Sequence, residues 1–139
     1  MKKIAALFSV LLLISCQSDV TQESIRKLNG YWEIKQVELA NGEKKDYKVN
    51  ETVDYFEIKD NKGFRQKVMP QFDGTFRTNG IREEIKITGE KDKGFFIEYH
   101  TEYGKWKEQI ISIEDSTLVL KNKENLEYTY KKFKPFSFK

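Results

Sequence analysis

Few side chains in this sequence have types and spacings that could do chemistry. Among 139 residues there is one histidine, His100, and one cysteine, Cys16. A lone histidine offers no second imidazole at metal-ligand spacing, and no serine, histidine and aspartate stand in a readable nucleophilic order. Carboxylates do come in pairs: Glu83 with Glu84, Glu90 with Asp92, and Glu114 with Asp115. Two carboxylates across a scissile bond are what a glycosidase needs. Neighbours in an extended strand point to opposite faces, however, and the other pairs fall in turns. These groups read as solvated charge. His100 faces away from Tyr99, towards water. The expectation is a non-catalytic chain with no cofactor and no metal. A single cysteine also excludes a disulfide framework and any cysteine-based zinc cluster.

Cys16 has its own context. Met1-Lys2-Lys3 is a short basic start, and residues 4–14 are apolar except for Ser9. A spanning helix needs roughly 20 apolar residues, so the run is too short to cross a bilayer. Basic start, short apolar core and small residues together make a secretory signal peptide over residues 1–15. Leu13-Ile14-Ser15-Cys16 resembles the bacterial lipobox. That resemblance implies cleavage before Cys16 and acylation of its thiol, giving a membrane as the first partner. Two or three acyl chains hold stably where one does not. Gln17, rather than Asp, follows the cysteine, which in enteric-type bacteria points to the outer membrane. Of 25 basic and 22 acidic residues, Lys2 and Lys3 leave with the signal, so the mature chain is almost neutral. It carries no basic patch for nucleic acid.

Past the cysteine, residues 16–29 read as a tether and a short helix over 19–28. Asp19 is placed to cap it, Gln22 stands at the capping-box position and Gly30 stops it. The hydrophobic period then changes from helical to two. Strands are expected at 31–39, 53–59, 64–69, 75–78, 82–88, 95–101, 105–113, 117–121 and 126–133, within a domain spanning 30–134; residues 135–139 form a tail. Asn41-Gly42, Asp73-Gly74 and Asn79-Gly80 mark tight turns. Residues 59–64 and 90–95 look alike, each a hairpin loop with a glycine placed for positive φ.

Short connections make successive strands antiparallel neighbours. A meander of eight or nine strands leaves two open edges unless it closes on itself. The fold class expected is therefore all-β, an antiparallel up-and-down barrel with a short N-terminal helix. A two-sheet sandwich is the alternative, with 40–52 as its longer connection. Alternation puts Trp32, Ile34 and Gln36 on one inward face. The other inward sets are Phe56 with Ile58, Gln66 with Val68, Ile85 with Ile87, and Phe95 with Ile97 and Tyr99. Ile111 with Ile113, Leu118 with Leu120, and Tyr128 with Tyr130 complete the wall.

Leu28-Asn29-Gly30-Tyr31-Trp32 resembles the opening of lipocalins, a helical turn followed by G-x-W. Asp73-Gly74-Thr75-Phe76, the run from Ser112 to Leu120 and the aromatic last strand are similar to small bacterial lipocalin-like lipoproteins. The resemblance spans about residues 25–134. It implies that Trp32 plugs the closed end of a barrel. Where the family places an arginine on that tryptophan, this chain offers Lys131, Lys132 and Lys134, and a lysine can also lie over an indole face.

A small barrel is either filled by its side chains or holds one small ligand. Apolar walls with sparse polar groups suit a pocket. The ligand-contact candidates are Gln36, Phe56, Gln66, Ile97, Tyr99, Tyr128 and Tyr130. The expected function is a membrane-anchored module binding a small hydrophobic or amphipathic molecule. The other reading is a filled barrel that engages or inhibits a protein partner in the cell envelope.

Overall fold

The computed structural model describes residues 19–135; Cys16, the expected signal peptide and all of the expected tail but its first residue lie outside them. The chain starts with a single 3-10 turn, Ser24–Leu28. It is shorter than the expected helix and is capped differently. Thr21 and Ser24 form the reciprocal pair: the Ser24 amide donates to Thr21 Oγ1 and the Thr21 amide donates to Ser24 Oγ. Asp19 and Gln22 take no such role, and Gln22 instead bonds the side chain of Asn61. The turn holds because Ile25 and Leu28 are buried in the main core.

Ten strands follow: β1 Gly30–Glu38, β2 Lys44–Asp46, β3 Val53–Lys59, β4 Lys62–Pro70, β5 Phe76–Thr78, β6 Glu83–Glu90, β7 Gly94–Thr101, β8 Gly104–Ile113, β9 Thr117–Lys121 and β10 Glu127–Lys132. All the pairings are antiparallel, and β1 pairs with β10 as well as with β3. That seam closes the barrel and excludes the sandwich. Eight strands form the wall, and β2 and β5 are additions. β2 was not legible in the charged stretch around Lys44, which pairs with β1 through the Asn41-Gly42 turn.

β5 and β6 lie on the same side of β4. β5 takes Val68 to Pro70 and β6 takes Lys62 to Arg65. Residues 79–82 leave the wall between them, so one stave is interrupted beside Gln66 and Lys67. Strand direction alternates, so the 3-10 turn shares one end with the hairpins at 60–61, 91–93 and 114–116. Lys27–Asp115 at 3.3 Å and Gln22–Asn61 tie that end together. The segments 39–52 and 71–82, which carry β2 and β5, and the loops at 102–103 and 122–126 belong to the other end.

The core is Trp32, Phe56, Ile85, Ile87, Ile97, Tyr99, Ile110, Ile113, Leu118, Leu120 and Tyr130 with the two side chains from the turn. Three departures from simple alternation decide what reaches it. A bulge between Ile34 and Gln36 passes the inward position to Val37, so Gln36 leaves the wall and donates to Asp46. A bulge between Ile110 and Ser112 does the same in β8, so Ile110 is buried and Ile111 is exposed. In β4, the register pairs Phe56 with Arg65 and Asp54 with Lys67. Paired residues share a face, so Arg65 and Lys67 point inward. Gln66 and Val68 lie on the outer face with Tyr55 and Val53, contrary to the expectation. They are buried there because that face carries its own aromatic layer. Phe76 stacks on Tyr31 with centroids 4.2 Å apart, and Tyr31 meets Tyr55 at 4.7 Å.

The two look-alike turns also differ. At 60–61 the positive-φ residues are Asp60 and Asn61, as a type I′ turn requires, and Gly63 is an ordinary strand residue; in the second turn Asp92 and Gly94 are the positive-φ pair.

Candidate functional site

Trp32 is fully buried, and its Nε1 donates to Leu28 O at 2.8 Å. Lys132 lies over the indole, with Nζ 4.5 Å from the ring centre. The same Nζ donates to Asn29 O at 2.6 Å. Gly30 makes room for this: it sits at φ +121, and a Cβ there would lie 2.7 Å from Lys132 Nζ. The Gly-Tyr-Trp spacing is thus one assembly that shuts the end of the barrel. Burial pulls the Lys132 ammonium below its ordinary pKa, with Asp115 opposing.

The opposite end is open. A cavity of about 240 Å³ sits in this mouth. Trp32, Ile34 and Val37 form its β1 wall, and Tyr128 and Tyr130 its β10 wall. Asp54 and Lys67 supply charge, and Tyr47, Asn50 and Thr52 come from the loop before β3. Asn50 is pinned by its side-chain bonds to Ile34 O and Glu33. Lys67 Nζ bonds Asp54 Oδ1 at 3.0 Å.

Deeper in the barrel is a buried charge cluster. Arg65 grips Glu83 with two parallel bonds, Nε–Oε1 at 2.7 Å and Nη2–Oε2 at 2.9 Å. Its Nη1 lies 3.7 Å from Glu108 Oε1, and its guanidinium caps the Tyr99 ring at 4.4 Å. Burial opposes the charge on Arg65, but Tyr99, Glu83 and Asp54 outweigh it and hold the guanidinium above its usual range. Burial pushes the Glu108 carboxyl up, against the pull of Tyr99 and Arg65. Burial also drives Tyr99 and Tyr130 well above the ordinary phenol value, and the Glu108 charge adds to both. Tyr99 Oη and Glu108 Oε1 are buried without a partner of proper hydrogen-bond geometry, although they are close enough to feel each other's charge.

Of the candidate contact residues, only Tyr128 and Tyr130 come together in the mouth, where Trp32, expected only as the plug, also lines the cavity. Phe56 and Ile97 are fully buried in the core, and Tyr99 belongs to the charge cluster. Gln36 and Gln66 face out of the barrel. His100 stands on the outer wall near Glu84, at 3.9 Å, as alternation predicted. Glu83, read as solvated charge, is instead the partner of Arg65. Arg65, Glu83, Glu108 and Asp54 were the residues missed. Hairpin parity could have found Arg65, and Lys67 with it. Any even-numbered loop between β3 and β4 sets Phe56 opposite an odd-numbered residue, which puts Arg65 and Lys67 inside.

A second depression, about 650 Å³, lies across β4, β6, β7 and β8. Its floor is the row Gly63, Ile85, Tyr99 and Trp106. Its sides are the rows Glu84–His100–Lys105 and Lys62–Lys86–Glu98–Lys107. Register places these charged rows on the outside, so it is a trough between side-chain ridges rather than the barrel interior. Among the described residues, no three His, Cys, Asp or Glu side chains group as metal ligands.

The family profile described as a lipocalin-like domain matches residues 28–120. No curated protein matches the chain significantly. Among solved structures, a lipocalin-like protein from Bacteroides uniformis is similar, with 18% identity and a TM-score of 0.50. The similarity covers 77% of this chain and 99% of that one, and at that identity it speaks for the fold alone. A closed eight-stranded wall plugged by Trp32, together with a profile match that spans most of it, identifies the chain as a member of the lipocalin-like domain family.

Proposed function

We propose that this protein is a lipid-anchored binding module of the bacterial envelope. In this reading Cys16 carries the acyl anchor, the mature chain sits at the outer membrane, and the barrel mouth holds one small amphipathic molecule without transforming it. The observation that supports it best is the 240 Å³ mouth cavity between Trp32, Ile34, Tyr128 and Tyr130. Apolar and aromatic walls with a few fixed polar groups are how small-molecule sites are built. The Arg65 cluster fills the barrel behind it, which keeps the site shallow and its ligand small.

The test is to purify the protein from its native envelope and analyse co-purifying small molecules by mass spectrometry, alongside melting temperatures with a ligand panel. A recurrent molecule that also raises the melting temperature supports the reading. Repeated absence of both refutes it.

A second reading has its own observation. Exposed apolar side chains gather around the open end, at Leu39, Val49, Ile81 and Tyr103. Apolar surface concentrated at one end suits contact with a protein partner in the envelope. Crosslinking at the Tyr103 position in intact cells distinguishes it: a discrete protein adduct favours this reading, and none leaves the small-ligand one.

A further inference from the structure

The polar side of the mouth is built for a cation. Asp54 is 8% exposed at its side chain, yet it lines the cavity. Its ion-pair partner is Lys67, whose side chain is 62% exposed and reaches in from β4. The chain thus already holds an ammonium on this carboxylate, delivered by a flexible arm from the solvent side. Behind Asp54 the balance stays acidic. Glu83 and Glu108 both face inward, and Arg65 is engaged by both. Lys132 is turned to the closed end and bonded to Asn29 O. Tyr47, Tyr128 and Tyr130 bring three rings to the other walls; aromatic faces attract cations, and Tyr47 already holds the Lys45 ammonium 5.2 Å from its centre. A ligand carboxylate would meet Asp54, with Lys67 beside it and Lys45 held over Tyr47 at the rim.

We propose that the mouth pocket takes a small ligand with a primary ammonium on a compact apolar body, the ammonium replacing Lys67 on Asp54. The inference rests on the binding-module reading and names its ligand class. The size follows from the cavity, which at about 240 Å³ lies below the ~300–1,000 Å³ of drug-sized sites. The apolar body lies against Ile34, Val37 and the tyrosine rings. Lys67 acts as a built-in competitor that keeps the carboxylate paired when the site is empty, so Asp54 never stands buried and unpaired.

The experiment titrates 2-phenylethylamine, 2-phenylethanol and phenylacetate into the purified full chain, by calorimetry or ligand-observed NMR. The amine is expected to bind about tenfold or more tightly than phenylacetate, the scale of one buried charged hydrogen bond. Asp54→Asn should weaken the amine by about the same factor and leave the alcohol unchanged. Lys67→Met should tighten the amine, because the competitor is gone while Asp54 remains. A gain of affinity cannot come from misfolding, so this variant keeps the test sound if Asp54→Asn folds poorly. Phenylacetate binding as well as the amine, or Lys67→Met weakening it, overturns the inference. Binding of the alcohol but not of the amine also overturns it and leaves the binding module standing. Binding of none of the three overturns the inference, and the co-purification test then decides the binding module.

Discussion

Lys132 and Trp32 form a stacked cation–π pair at the closed end, 4.5 Å from ammonium to ring centre, and Gly30 leaves the gap through which the ammonium reaches Asn29 O. Of the three lysines the sequence offered for the indole face, Lys132 is the one that covers it.

Gly30→Ala should destabilise the protein by about 1–3 kcal/mol, because alanine must adopt positive φ and its Cβ meets the Lys132 ammonium. Adding Lys132→Ala should recover only the steric share of that loss. Trp32→Ala should cost about 3–5 kcal/mol, as a large buried ring leaves a cavity. Chemical denaturation of the four proteins checks these values.

The two glutamates around Arg65 should behave differently. Glu83→Gln breaks a two-bond grip on a buried guanidinium and should cost about 3–5 kcal/mol. Glu108→Gln removes a carboxylate that burial already disfavours and that sits 3.7 Å from Arg65, so it should be near neutral or stabilising at pH 7. Folded-state pKa of Glu108 lies above its unfolded value. Its protonated form is therefore favoured by folding, and its charge costs stability once the pH passes the unfolded value of about 4.5. The gap between wild type and Glu108→Gln should shrink as the pH falls into that region, measured by urea melts across pH.

Tyr99 and Tyr130 should not ionise in the folded protein. Their folded pKa values are raised, so above pH ~10 the unfolded chain holds fewer protons than the native one and stability falls as pH rises. Tyrosinate absorbance should rise in two stages, with Tyr99 and Tyr130 in the second. The buried pair then appears together with loss of circular dichroism. Ionisation of all seven tyrosines before unfolding would contradict the buried geometry.

Cys16→Ser should move the protein from the membrane fraction to the soluble fraction of fractionated cells. A variant that stays with membranes and resists salt extraction would refute the lipid anchor.

The barrel was legible because hairpin turns and period-two alternation are local signals. Asn41-Gly42 and Asp73-Gly74 turn where expected, and the plug at Trp32 follows from its motif. What failed was facing. Alternation marks the more apolar side of a strand as the inner one, which holds where the other face meets water. In β4 both faces are covered, one by the core and one by the Tyr31–Phe76 layer, so the apolar side was the wrong one. Two bulges then shifted the phase in β1 and β8, and nothing local in Ile34-Lys35-Gln36 or Ile110-Ile111-Ser112 announces them. A buried arginine with its glutamates looks like surface charge until β3 and β4 are paired.

The interrupted stave makes the wall a split hoop. A closed hydrogen-bonded ring has no end at which to start unzipping, whereas here the backbone of Gln66 and Lys67 has a neighbouring strand on one side only. Amide exchange should therefore be fastest in the wall at that seam, and the arm that carries Lys67 hangs from it. Opening of the seam would widen the mouth sideways, letting a guest enter through the flank without any movement of the plugged end.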